Sequence, residues 1–213
     1  MVTSTMSPTG SFSRDPIGFK GSEWSLYEYC DGNAIVKTDP DGLCGKRTDD
    51  ECCDDAKKAG LNEDSDSKSN GGVICCDGRK VSCAWGVPKS LDDKDAKPIA
   101  LKCIKKHEDD HHDDITCDPK NPLERPLSNT TTPEAYAREE CRAYTEHLRC
   151  LLGHGTWEMD PTGKWRMTQR PPECQTDSCV QDLEREVNRV RRQRQSQCNA
   201  GRVPINPDPR DQN

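Results

Sequence analysis

Fourteen cysteines in 213 residues, of which only 31% are apolar, constrain this chain more than any other feature. With a mean hydropathy of −1.02, it is too polar to rely on a large apolar core. Covalent cross-links must therefore carry part of the burden of holding a fold. No two cysteines are separated by two residues, so the CxxC knuckles of cysteine-ligated zinc sites are absent. Disulfides are the expected use of the cysteines, and disulfides on this scale imply an oxidising destination outside the cytosol.

The run from Cys103 to His112 contains His107, Glu108 and His111, an HExxH motif. On a helix, residues four apart lie one above the other, so two imidazoles can grip one metal while the glutamate reaches its bound water. Ala100, Ile104, His107, His111 and Ile115 follow one helical stripe, which turns both histidines toward the apolar side. Lys102, Lys105 and Lys106 precede a C-terminal half crowded with Glu108, Asp109, Asp110, Asp113 and Asp114. This order opposes the helix macrodipole at about 0.3 kcal/mol or more per exposed charge, and a bound dication would offset part of it.

Catalytic zinc usually takes three protein ligands and leaves a position for water. The extended HExxHxxGxxH pattern would place glycine at 114 and histidine at 117, where this chain has Asp114 and Cys117. The third ligand is therefore expected from a later helix. Thr132 and Pro133 open one as N-cap and first residue, and Gly153 can end it. On it Glu140 shares a face with Tyr136, Ala137, Ala143, Tyr144 and Leu151, whereas Glu139 is flanked by Arg142 and more easily exposed. A carboxylate among apolar neighbours needs a partner, and Zn2+ is a natural one. Glu146, His147 and His154 are reserve candidates.

Elsewhere the sequence predicts a helix after Cys44, with Thr48 as N-cap, Glu51 completing a capping box and Gly60 as the stop. Asn62 to Gly72 reads as a flexible loop. Val73 to Cys76 and Arg79 to Trp85 read as a hairpin across an Asp77-Gly78 turn. That hairpin either lines a substrate cleft or is merely pinned by disulfides. From Asp177 to Cys198, Val180, Leu183, Val187 and Val190 form the apolar stripe of a supporting helix. The Arg189 to Arg194 run on this helix reads as a solvated face, and residues 199–213 as a disordered tail.

A net charge of −7 argues against a nucleic-acid partner, because phosphate binding wants a basic face. Residues 1–15 contain no apolar run of signal-peptide type and no stretch approaches the length of a membrane span. The expectation is a chain with no export signal of its own and no membrane span.

The N-terminal segment carries Arg14-Asp15-Pro16-Ile17-Gly18-Phe19, then Leu26-Tyr27-Glu28-Tyr29, then Asp39-Pro40-Asp41-Gly42-Leu43. On residues alone these are Asp-Pro turns around a short strand pair, with Asp15 and Asp39 as turn caps. They resemble the end of the Rhs (YD-repeat) core, with its RDPxG and DPxGL signatures around a Tyr-rich stretch. Ser7-Pro8-Thr9-Gly10 is similar to the preceding family segment. The resemblance implies a parent Rhs shell enclosing a variable C-terminal toxin. It also implies an aspartyl self-cleavage in which Asp15 and Asp39 form the catalytic pair and Leu43 is the last residue before the cut. An immunity protein as partner follows from the same likeness.

The HExxH helix followed by Glu140-Cys141-Arg142-Ala143-Tyr144 resembles the gluzincin-like metallopeptidase toxins found at Rhs C-termini. That resemblance implies His107, His111 and Glu140 as metal ligands and Glu108 as general base, with Tyr144 either stabilising the oxyanion or serving as a core aromatic. The expected fold is α+β: a small disulfide-rich zincin-like domain, hairpin plus catalytic helices, after a short Rhs-core tail. Its segments are the tail over 1–43, a Cys-rich stretch with the hairpin over 44–97, and a helical catalytic region over 98–198. The expected activity is zinc-dependent hydrolysis of a protein or peptide substrate. A disulfide-rich binding module without catalysis and a metal-dependent nuclease toxin are the alternatives.

Overall fold

Cross-linked helices and small antiparallel sheets make up the described part of the protein, seen in a computed structural model that describes residues 47–64, 67–68, 70–118, 121–126, 128–205 and 208. The Rhs-like turns with Asp15, Asp39 and Leu43 lie outside the described residues, as does Cys44.

Helix α1 (Asp49–Lys58) starts where its capping box predicts. Thr48 accepts from the Glu51 amide while the Glu51 carboxylate takes the Thr48 amide at 2.7 Å. Gly60 follows with φ +75°, the left-handed geometry that ends a helix. The expected loop from Asn62 to Gly72 is more ordered than its composition suggested. Glu63–Asp64 (β1) pairs with Ser67–Lys68 (β2), and Gly71 and Gly72 already belong to strand β3 (Gly71–Cys76).

β3 and β4 (Arg79–Ala84) form the predicted hairpin, and both Asp77 and Gly78 have positive φ, as a type I′ turn requires. The short β5 (Leu123–Glu124) pairs with β3 only at Cys75 and Cys76. α1 packs on this sheet over Cys52, Ala56, Ile74 and Val81.

The larger apolar cluster joins α2 (Ala96–Asp110), α3 (Pro133–Leu152) and α4 (Asp177–Ala200), with α3 packed against both others. Ile99, Leu148, Leu151, Leu183, Val187 and Val190 fill it. Thr132 and Thr176 cap α3 and α4 through their side chains, and α4 runs two residues beyond Cys198 before Gly201 ends it. A second hairpin, β6 (Thr156–Met159) with β7 (Trp165–Gln169), closes the end of this cluster with Trp157 and Trp165. The sequence reading missed it, although the Asp160-Pro161-Thr162-Gly163 turn between two tryptophans was a usable signal.

Among the described residues every cysteine is paired: Cys52–Cys76, Cys53–Cys83, Cys75–Cys117, Cys103–Cys150, Cys141–Cys198 and Cys174–Cys179. Two of these bonds join helix to helix. Cys103–Cys150 ties α2 to α3, and Cys141–Cys198 ties α3 to α4. Among the described residues no helix is long and apolar enough to cross a membrane. A disulfide-rich chain of this kind fits an extracellular setting.

Polar side chains also join the helices. The Asp93 carboxylate accepts from the amides of Asp95 and Ala96 at the start of α2 and from the hydroxyls of Thr176 and Ser178 at the start of α4. Buried Asp182 accepts from the Asp92 and Asp93 amides at 2.7 and 2.8 Å. The arginine run on α4 departs from the expected solvated face. Arg194 is 3% exposed and donates to Thr145 on α3, and Arg189 is half-buried against Glu186. The pattern of charge along α4 could not reveal this, because the acceptors come from another helix or from the buried side of the same one.

Two stability predictions follow. In the loop-entropy view of disulfides, the C141A/C198A pair, which opens a separation of 57 residues, should cost ~4 kcal/mol in urea unfolding, and the C174A/C179A pair, with a separation of 5, ~2 kcal/mol. Hydrogen bonds from Ser178 lead in holding the Asp93 carboxyl down at about 2. Since its unfolded value is about 3.9, the stability it contributes is complete above that value and drains away as pH falls toward 2. Acid unfolding of D93N should therefore show a shallower pH dependence across that window than the parent chain.

Candidate metal centre

The HExxH sequence spans a change of helix type. α2 ends at Asp110, and His111 opens a 3-10 turn over His111–Asp114. Both imidazoles still face α3, as the apolar stripe predicts. His107 is 8% exposed and lies with its ring centroid 4.5 Å from that of Tyr144.

Three side chains converge between α2 and α3. His107 Nε2 and His111 Nε2 are 3.4 Å apart, Glu140 Oε2 lies 3.7 Å from the first and Glu140 Oε1 lies 3.6 Å from the second. Around tetrahedral zinc with Zn–N bonds of about 2.0–2.1 Å, neighbouring ligand atoms stand about 3.3–3.4 Å apart. The two nitrogens stand at that spacing, the carboxylate approaches each of them with a different oxygen, and the donors are the imidazole and carboxylate types that zinc takes. Burial, with a smaller contribution from His111, pushes the His107 pKa down to about 3. The ring is therefore neutral at physiological pH, the state in which a histidine binds metal. His107 Nδ1 makes no hydrogen bond of good geometry, although the Ala143 backbone lies close enough to oppose the fall in pKa.

The other candidates sort themselves by partner. Glu139 accepts from Ser128 at 3.0 Å, and burial followed by repulsion from Asp114 raises its pKa. Asp114 and Asp110 are both bound by Arg142, the latter at 2.5 Å. A second triple of His111, Asp114 and Glu139 is therefore already satisfied by protein partners. Glu146 pairs with Arg149. His147 is buried behind His107, their ring centroids 5.8 Å apart, and lies outside the triangle. His154 sits beside the Cys103–Cys150 disulfide, whose sulfurs are committed to each other. Cys117, at the position where the longer motif has a histidine, is bonded to Cys75.

Arg142 also answers the dipole conflict at the acidic end of α2. Its guanidinium meets two of the crowding carboxylates and the Asp110 carbonyl, and Lys80 donates to the His112 carbonyl. Protein cations therefore offset the charge that the sequence reading assigned in part to a dication. His112 turns away from the triangle and joins Ser82 on the hairpin at 2.8 Å.

The triangle forms the floor of a cleft of about 460 Å³ walled by β3, α2, α3 and α4. Glu108 and Tyr144 line it beside the ligands, and Asn70 to Val73 supply the strand wall. Burial, then the nearby Glu140 charge, pushes the Tyr144 pKa up to about 12, so its hydroxyl keeps its proton. The cleft thus brings together the three expected ligands, the expected base and a neutral hydroxyl donor. It also contains Arg189 and Gln193 of α4, which the sequence reading did not place there.

The geometry separates Glu140 from its neighbour by experiment. E140A, H107A and H111A should each weaken zinc binding by more than about 100-fold, beyond the usual cost of losing an outer-sphere partner. E139A should retain stoichiometric zinc, as read by metal analysis after dialysis.

No family model, curated protein or solved structure matches this chain.

Proposed function

We propose that this chain is a zinc-dependent metallopeptidase with a zincin-like arrangement of its hairpin and helices, and that it acts as the C-terminal effector of an Rhs-type polymorphic toxin. The observation that carries the enzymatic reading is the triangle of His107, His111 and Glu140, with edges of 3.4–3.7 Å. Glu108 of α2 and Tyr144 of α3, which line the same cleft, supply the groups that hydrolysis needs. The delivery reading rests on the resemblance of residues 7–43 to the Rhs core end.

When bound, zinc supplies a Lewis acid that polarises the scissile carbonyl and acidifies the attacking water. His107, His111 and Glu140 would hold it. Glu108 takes the proton of that water and passes it to the leaving amine, the role of a general base that becomes a general acid. The Tyr144 hydroxyl, still protonated, donates to the oxygen on which negative charge develops. Asn70 to Val73 form the wall along which an extended peptide would lie. Disulfides that lock both ligand helices keep the groups in register without help from the substrate.

The full chain should take up one zinc and release peptides from casein. E108Q should keep the metal while kcat falls by about 10²–10⁴-fold, and Y144F should lower kcat by up to about 10²–10³-fold with little change in KM. Absence of stoichiometric metal in the parent chain would sink the peptidase reading. Plasmid nicking that disappears in E108Q, without any proteolysis, would replace it with a nuclease.

A further inference from the structure

We infer that Gly71 is a positioning residue for Glu108: the missing side chain at this one strand position is what allows the carboxylate to stand beside the metal triangle. The inference rests on the reading of Glu108 as general base.

Gly71 opens β3, is buried and lines the cleft. A Cβ at this position would lie 2.7 Å from Glu108 Oε1, 2.7 Å from Ile104 Cγ2 and 3.0 Å from the Cys83 carbonyl oxygen. The first two separations are shorter than real Cβ contacts allow. Its φ lies outside the left-handed region, so glycine is required here for space and not for backbone conformation. Ile104 and Glu108 are four apart on α2 and present one helical face to the strand. Helix and strand meet at this spot with no room for a methyl group.

The strand cannot back away. Gly71 is in register with Ala84 of β4, and the hairpin is anchored by Cys53–Cys83 to α1 and by Cys75–Cys117 to the chain after α2. Ile104 is 4% exposed and packed, whereas the Glu108 carboxylate is the far end of a flexible side chain. A methyl group at position 71 must displace both side chains, and the Glu108 carboxylate, the freer of the two, swings out of place. His107, His111 and Glu140 are not among the three nearest neighbours of that methyl group. The neighbouring Gly72 makes a natural control: its Cβ would meet the Trp85 ring at 2.9 Å, not Glu108.

The contact is tested first without metal. In urea unfolding of the full chain, G71A should destabilise the parent more than it destabilises E108A, because removing Glu108 removes its share of the clash and leaves only that with Ile104. An equal cost in both backgrounds overturns the inference. The second readout is cobalt(II) bound in place of zinc. G71A should bind it within a few-fold of the parent, and its visible absorption should shift in the same direction as that of E108Q, while G72A keeps the parental spectrum. A G71A spectrum identical to the parent's, with E108Q shifted, likewise overturns it. Should G71A fail to fold, G71A/I104A relieves the competing contact and carries the same comparisons against I104A. A parent chain that takes up no cobalt sinks the zinc reading instead, and the unfolding cycle still decides whether Gly71 makes room for Glu108.

Discussion

The cross-links between α2, α3 and α4 are the constraint on which the rest depends. A metal triangle drawn from two helices needs those helices fixed to a fraction of an ångström, and a chain this polar has limited apolar area with which to fix them. Cys103 stands one turn before His107 on α2, and Cys141 directly follows Glu140 on α3. Each of these helices is therefore bonded to its neighbour close to its own candidate ligand. The packed side chains around Leu148 and Leu183 complete a geometry that the sulfurs have already narrowed.

A layer of buried charge works alongside the sulfurs. Arg194, Glu186 and Asp182 are all nearly inaccessible, and such groups are tolerated only where partners meet them. Asp182 has the amides before α2, Arg194 has Thr145, and Glu186 has the Arg189 guanidinium in a two-pronged contact. The contacts of Asp182 and Arg194 cross to other segments and so specify how α4 docks, while the Glu186–Arg189 pair lies within α4. The same arginine reaches the cleft wall, which links the docking of α4 to the polarity of the site.

Local rules were legible in the sequence wherever one segment decides its own geometry. The capping box at Thr48, the cap at Thr132, the Asp77-Gly78 turn and the face shared by Glu140 and Tyr144 all depend on residues within a turn or two of each other. What escaped depends on distant segments. The pairing of Arg142 with Asp110 and Asp114, the burial of Arg194 and the approach of Gly71 to α2 require two elements to be docked before they have meaning. Gly71 and Gly72 were read as the end of a loop because composition alone cannot tell a flexible glycine from one that yields space. The switch to a 3-10 turn at His111 has no sequence signal that we can name.

The order in which the cysteines pair has its own consequence. The loops closed by Cys52–Cys76 and Cys53–Cys83, then Cys75–Cys117, Cys103–Cys150 and Cys141–Cys198, each overlap the next along the chain. Every peptide bond between Cys52 and Cys198 is therefore spanned by at least one sulfur bridge. A single backbone cut anywhere in that interval leaves both pieces covalently joined. Any protease that nicks the chain once between Cys52 and Cys198 therefore leaves its two parts together.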